Sequence, residues 1–204
     1  MESKKELRVF TAPVEYREAD EGNGTIEGIA AVVNMETNLG WFNEIIMPGA
    51  FDEVLKGDTR ALFNHDSNQV LARTTSGTLA LSINTDGHLV YNYVTPNRTF
   101  AKDLEDMIRS GDVSQSSFAF TVKEDSWEYD ENGEREIRKI IKVGELYDVS
   151  PVTFPAYADT SVAKRCFDDV CQKRSDISTE DNNNNSAKNK EYITRRMTAR
   201  NLER

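Results

Sequence analysis

Two alternating runs, residues 117–123 and 136–149, constrain this chain most, because they flank the dipeptide Asn132-Gly133. Apolar residues at every second position read as half-buried strands. Asn-Gly between two such runs is a strong signal for a tight reversal. The pair therefore predicts a long antiparallel hairpin. Taking Asn132-Gly133 as a two-residue turn sets Glu131 opposite Glu134, Phe118 opposite Tyr147, Val122 opposite Val143 and Glu124 opposite Ile141. Phe118, Phe120 and Val122 then share an apolar face with Ile141, Val143 and Tyr147. Ser117 lands opposite Asp148 on the other face. A one-residue slip would mix the faces. Glu145 is the misfit: this register puts it against Phe120, where an unpaired charge is expensive. It requires either a bulge or a polar partner, His65 being one candidate.

The rest of the body reads the same way. Strand-like runs begin near Leu7 and Thr25, and others cover 60–66, 70–74, 78–83 and 88–94, with glycine-containing turns between several of them. Gly28 inside its run predicts a bulge or a close backbone approach, and the apolar run 29–33 predicts a strand buried on both faces. Pro48 followed by Phe51, Val54 and Leu55 predicts a short helix. Phe100, Leu104, Met107 and Ile108 predict a second one over 99–110, started by Asn97 or Thr99 and ended by Gly111. These elements describe a mainly antiparallel β domain with two or three helices, closed as a barrel or sandwich. Past residue 162 the chain turns polar and charged, with four consecutive asparagines from Asn182. We therefore expect a domain over 1–162 and a disordered tail over 163–204, with one helical patch around Phe167, Val170 and Cys171.

Composition removes several functions. A net charge of -10 is the wrong sign for a nucleic-acid binder. Cys166, Cys171 and the two histidines, His65 and His88, are too few for a zinc motif or a disulfide scaffold. No run is long and apolar enough for a membrane span, and the first residues lack a secretory core, so the expected compartment is cytoplasm. No cofactor is expected.

The serines offer either plain turn chemistry or a nucleophile. The segment Gly111-Asp112-Val113-Ser114-Gln115-Ser116-Ser117-Phe118 sets three serines where a helix ends and a strand begins. Ser114 and Ser116 read as turn serines. Ser117 faces an acid, and a nucleophilic serine needs an imidazole in reach whose other nitrogen is held by a third group. His65 sits at a strand end in Asn64-His65-Asp66, whereas His88 follows a tight turn where a solvated histidine is ordinary.

These residues resemble the prohead proteases of tailed bacteriophages, the serine proteases of capsid maturation. The resemblance runs through Gly28-Ile29-Ala30-Ala31-Val32-Val33-Asn34, Glu44-Ile45-Ile46-Met47-Pro48-Gly49-Ala50-Phe51, Phe63-Asn64-His65-Asp66, the segment 71–79, the serine segment, and the stretch from Glu145 to Tyr157. It implies His65 as catalytic base, Ser117 as nucleophile and an acid from the Glu145 to Asp148 segment as third member. The hairpin register favours Asp148, with Glu145 the alternative. It also implies a closed β-barrel flanked by helices, similar to the herpesvirus assembly proteases. In those the third member is a histidine, and this chain has none after His88. The implied substrates are the scaffold region of the major capsid protein and the protease itself, inside the prohead in the host cytoplasm. A homo-oligomer is compatible with this, as is a targeting or self-cleaved role for the tail. The competing readings are a non-catalytic capsid assembly factor that keeps the fold and a different serine hydrolase. The second is disfavoured by the lack of a Gly-x-Ser-x-Gly elbow.

Overall fold

The chain divides into two units, Met1–Ala163 and Lys164–Arg204. The computed structural model describes residues 5–10, 14–18, 23–130, 133 and 135–154, all within the first. The expected tail, the helical patch expected within it and both cysteines lie outside the described residues.

The larger sheet runs in the order β1 (Glu6–Phe10), β10 (Gln115–Tyr129), β11 (Glu136–Val152), β5 (Asn43–Ile46) and β4 (Glu36–Asn38). Two short strands join it beside the far end of β11. They are β6 (Arg60–Leu62), parallel to β11, and β7 (Val70–Arg73), antiparallel to β6. The smaller sheet runs β2 (Val14–Arg17), β3 (Thr25–Ala31), β9 (Leu89–Val94) and β8 (Leu79–Ile83). The expected closed barrel does not form. Both sheets are open, with β1 and β4 at the ends of one and β2 and β8 at the ends of the other. Alternation shows which residues point inward. Closure depends on which end strands pair, and periodicity carries no such information.

The helix content also falls short of the expectation. Only α1 (Thr99–Ser110) forms among the described residues. It buries Ala101, Leu104 and Ile108 and ends at Gly111, whose φ of 84° is the left-handed cap that glycine tolerates. Arg98, rather than Asn97 or Thr99, is its N-cap and makes no side-chain cap bond. The stretch after Pro48 is a run of turns instead of a helix. Its backbone bonds join residues three apart, Ala50 to Met47, Asp52 to Gly49 and Val54 to Phe51. Gly49 is left-handed at φ 82°, which breaks a helical start. The apolar spacing still selected the inward side chains, for Phe51 and Val54 are buried and Phe51 sets its ring edge-on to Phe118 at 5.7 Å.

On the smaller sheet, β3 alternates half-buried and buried residues from Thr25 to Ala30; of the run expected to be covered on both faces, Ala30, Ala31 and Val33 are buried while Ile29 and Val32 are only partly so. Gly28 marks a close approach: a Cβ there would come within 2.5 Å of the Tyr91 ring. Tyr91 therefore lies over the glycine, fully buried, and its hydroxyl sits 3.0 Å from that of Ser116 on the other sheet. Burial pushes the Tyr91 phenol up, so it is a neutral hydrogen-bonding group joining the sheets.

The β10–β11 hairpin forms, but its register drifts. From Tyr129↔Glu136 to Asp125↔Ile140 the pairing keeps the expected register, Glu124 faces Lys142 instead of Ile141, and Val122 still faces Val143. Irregularities around Lys123, Gly144 and Tyr147 then shift the ladder, so that Phe118 faces Val149 and Ser117 faces Ser150. The net slip is two residues. At Phe120 and Thr121 the slip is one residue and faces exchange, which takes Glu145 and Tyr147 off the apolar face expected for them; from Ala119 on it is two, one full period of side-chain alternation, so Asp148 keeps the Ser117 face while its partner changes. Glu145 is relieved by the same bulges: it pairs with Thr121 and is exposed.

Candidate active site

Three adjacent strands supply the site. Ser117 lies on β10, with Ser150 directly opposite on β11 and Asp148 opposite Ala119, one step along the same face. On the other side of β11, Asp148 and Val149 pair in parallel with Arg60 and Ala61 of β6. β6 therefore carries the chain alongside the acid, and the turn that follows it holds His65. That turn is unusual. Asn64 and His65 both have positive φ, 52° and 60°, a region side chains other than glycine rarely occupy. Asn64 fastens it to the end of β11. Its backbone N–H donates to Pro151 O (3.1 Å), its side-chain amide donates to Thr153 Oγ1 (3.1 Å), and its Oδ1 accepts from the Thr153 backbone N–H (2.9 Å). Such conformations persist when their surroundings over-determine them, and these bonds do so here.

The turn swings the imidazole between the two strands. His65 Nδ1 lies 2.5 Å from Asp148 Oδ1, and Nε2 lies 2.6 Å from Ser117 Oγ. A carboxylate only accepts, so Nδ1 carries the proton and Nε2 is left as acceptor for the Ser117 hydroxyl. His65, Ser117 and Asp148 are thus brought together in one line of hydrogen bonds, while Glu145 stands apart on the exposed surface. His88 is remote from this line; its Nδ1 accepts from the Val33 backbone N–H at 3.3 Å.

Burial alone would raise the Asp148 carboxyl. The bond and charge of His65, the Ser150 bond and the Lys5 ammonium outweigh it and hold the group below the usual carboxylate range. Asp148 is therefore ionised at neutral pH. Lys5 Nζ is 3.5 Å from Oδ2. Ser117 and Ser150 are fully buried and Asp148 nearly so, whereas the His65 side chain keeps 16% of its surface. The line opens to solvent at the imidazole.

Ser150 escaped the sequence reading. Its hydroxyl donates to Asp148 Oδ1 at 2.8 Å and lies 3.3 Å from His65 Nδ1. The available signal was its spacing: two residues past Asp148 on a strand is the same face.

The neighbouring strand β1 completes the surroundings, with Val9 pairing opposite Ser117. The Arg8 carbonyl oxygen is 2.9 Å from Ser117 Oγ, so the hydroxyl proton has two acceptors in reach, that oxygen and His65 Nε2. β1 is anchored by a buried charge cluster that the sequence did not reveal. Arg8 grips Glu44 with Nε and Nη2 (2.5 and 2.8 Å) and Glu6 with Nη2 (2.6 Å). Arg138 grips the other side of Glu6 (2.9 and 3.1 Å) and bonds Asp125 through Nε (2.7 Å).

Among the described residues no group of histidine, cysteine and acidic side chains could hold a metal, and no helix is long and apolar enough to cross a membrane. The chemistry on offer is proton transfer from a serine hydroxyl to an imidazole held by a carboxylate. The family model described as caudovirus prohead serine protease matches residues 11–173. No curated protein matches. Among solved structures, the capsid assembly protease gp21 of bacteriophage T4 is similar at 14% identity, covering 76% of this chain and 100% of that one, with a TM-score of 0.48.

Proposed function

The chain belongs to the caudovirus prohead serine protease family, and from that premise we propose that it is a serine endopeptidase acting through Ser117, His65 and Asp148 in capsid maturation. The observation that carries the assignment of residues is the line of two bonds, 2.6 Å from Ser117 Oγ to His65 Nε2 and 2.5 Å from His65 Nδ1 to Asp148 Oδ1.

In this reading Ser117 Oγ attacks the carbonyl carbon of a peptide bond while its proton passes to Nε2. The imidazolium that forms is stabilised by the buried Asp148 carboxylate, which also keeps the proton on Nδ1 in the resting enzyme. The tetrahedral intermediate collapses as Nε2 gives its proton to the leaving amine, and an acyl-enzyme remains. Water enters, loses a proton to Nε2 and attacks the acyl carbon; the bond to Ser117 Oγ breaks, Nε2 returns the proton to that oxygen, and the new carboxyl end leaves. The substrates proposed are the scaffold region of the major capsid protein and the protease itself, cleaved inside the assembling prohead in the host cytoplasm. The segment 163–204 is proposed as a separate tail that is removed or that targets the protease to the shell.

Co-expression with the capsid protein tests this. Wild type is expected to yield shortened capsid protein, and Ser117→Ala or His65→Ala full-length capsid protein in assembled shells. Equal cleavage by wild type and Ser117→Ala would overturn the assignment. Shells that mature without any cleavage would favour the non-catalytic assembly role.

A further inference from the structure

We propose that Ser150 is a positioning residue for the reaction, holding the Asp148 carboxylate in the orientation that keeps His65 ready to accept the Ser117 proton. The inference rests on the reading of Ser117, His65 and Asp148 as the catalytic residues. Three observations carry it. Ser150 is fully buried and faces Ser117 directly across the β10–β11 ladder. Its hydroxyl donates to Asp148 Oδ1 at 2.8 Å, the same oxygen that holds His65 Nδ1 at 2.5 Å. It also lies 3.3 Å from Nδ1 itself, so the hydroxyl fills the angle between carboxylate and ring.

A buried carboxylate that rotates about its last torsion loses the direction of its bond to the imidazole. Asp148 has few restraints against that rotation. Oδ2 meets only the Lys5 ammonium at 3.5 Å among the bonds seen here, and the Lys5 side chain is half exposed and gains little from the contact. Oδ1 has two donors, one on the ring it must orient and one on Ser150. The hydroxyl on the rigid strand is therefore the bond that fixes the carboxylate independently of His65. A bond from a neutral donor to a charged acceptor is among the stronger ones. A hydroxyl two residues away on the same strand is also already in place, so little is lost in ordering it.

The test uses the full chain and a fluorophosphonate probe, whose rate of attachment to Ser117 reports how well that hydroxyl is activated. Wild type is expected to be labelled at Ser117, and His65→Ala to be labelled far more slowly. That pair establishes the underlying reading by itself. Ser150→Ala should then slow labelling about tenfold or more, the scale of one lost bond to a charged group, while the melting temperature stays within a few degrees of wild type. Ser150→Cys, close in size but a weak donor, should be slowed in the same direction. The decisive comparison is made in an Asp148→Ala background, where Ser150→Ala should cost less than about twofold because its effect passes through the missing carboxylate. Wild-type labelling by Ser150→Ala or by Ser150→Cys would overturn the proposal. So would an equal loss with and without Asp148, the mark of a merely structural role. No labelling of Ser117 in wild type would instead overturn the reading on which it rests.

Discussion

At the scale of single residues, the Asp148 carboxylate accepts from both the Ser150 hydroxyl at 2.8 Å and His65 Nδ1 at 2.5 Å, and so sets which imidazole nitrogen faces Ser117. The hairpin register predicts Ser117 opposite Asp148, and the ladder instead pairs Ser117 with Ser150 and Asp148 with Ala119. Asp148 still reaches the site because the bulges add up to two residues, one full period of side-chain alternation. Parity was legible in the sequence and the pairing partner was not. For His65 the local signal was its place at a strand end in Asn64-His65-Asp66, and nothing local joined it to Ser117. It arrives because β6 runs beside Asp148 and the Asn64 turn is tied to Thr153, which lies 89 positions further along the chain. Glu145, the alternative acid, is exposed and pairs with Thr121. A direct comparison follows. Asp148→Asn should lower the cleavage rate by about 1,000-fold or more, as loss of a tautomer-fixing carboxylate does. Glu145→Gln should stay within about threefold, as expected of a group outside the line of proton transfer. Cleavage kinetics on one substrate check both, and the reverse order would exchange their roles.

Among the elements, β1 and the β10–β11 pair set the site's rigidity. β1 lies at the edge of its sheet, beside the strand of the nucleophile, and Glu6, Arg8, Glu44, Arg138 and Asp125 fasten it there. Such a cluster is weak evidence of net stability, but removing one member leaves its partners charged and dry. Arg138→Met should therefore destabilise the fold by about 3–5 kcal/mol, read as a lower urea midpoint with little change in slope. A midpoint equal to wild type would mean that solvent reaches the cluster. None of this was visible in the sequence, where Glu6 and Arg8 alternate with Leu7 as an ordinary solvated edge would. The turn region after Pro48 shows the opposite case: its apolar residues were legible as inward-facing, and its helical form was not, because a left-handed Gly49 allows the same burial through successive turns.

For the whole of the described domain, most strands follow from alternation and turn residues, while the short strands β2 and β4, the order of strands in each sheet and the openness of both sheets do not. Acid stability belongs to this scale. In the fold, burial acts to raise the Glu6 carboxyl, and Arg8 and Arg138 outweigh it and leave it lowered; Asp148 is lowered as well. With folded values below unfolded ones, the unfolded chain binds more protons as pH falls. The stabilisation is complete above the ordinary carboxylate range of about 4 and is lost as pH falls through the folded values. Urea midpoints should thus change little through these two groups from about pH 7 to 5.5 and drop steeply below about pH 4. Arg138→Met should flatten that drop, since Glu6 loses a cation that holds it ionised. A drop of undiminished steepness would assign the acid sensitivity to other carboxylates.

The central claim is that Ser117 is a nucleophile activated by His65, and covalent capture tests it most directly. The intact chain is treated with a fluorophosphonate, digested, and the adduct located by mass spectrometry. The account predicts one adduct, on the peptide carrying Ser117, formed at least about 1,000-fold more slowly in His65→Ala, the scale of losing a triad member. An adduct on Ser114, Ser116 or Ser150 instead, or an undiminished rate without His65, would contradict it.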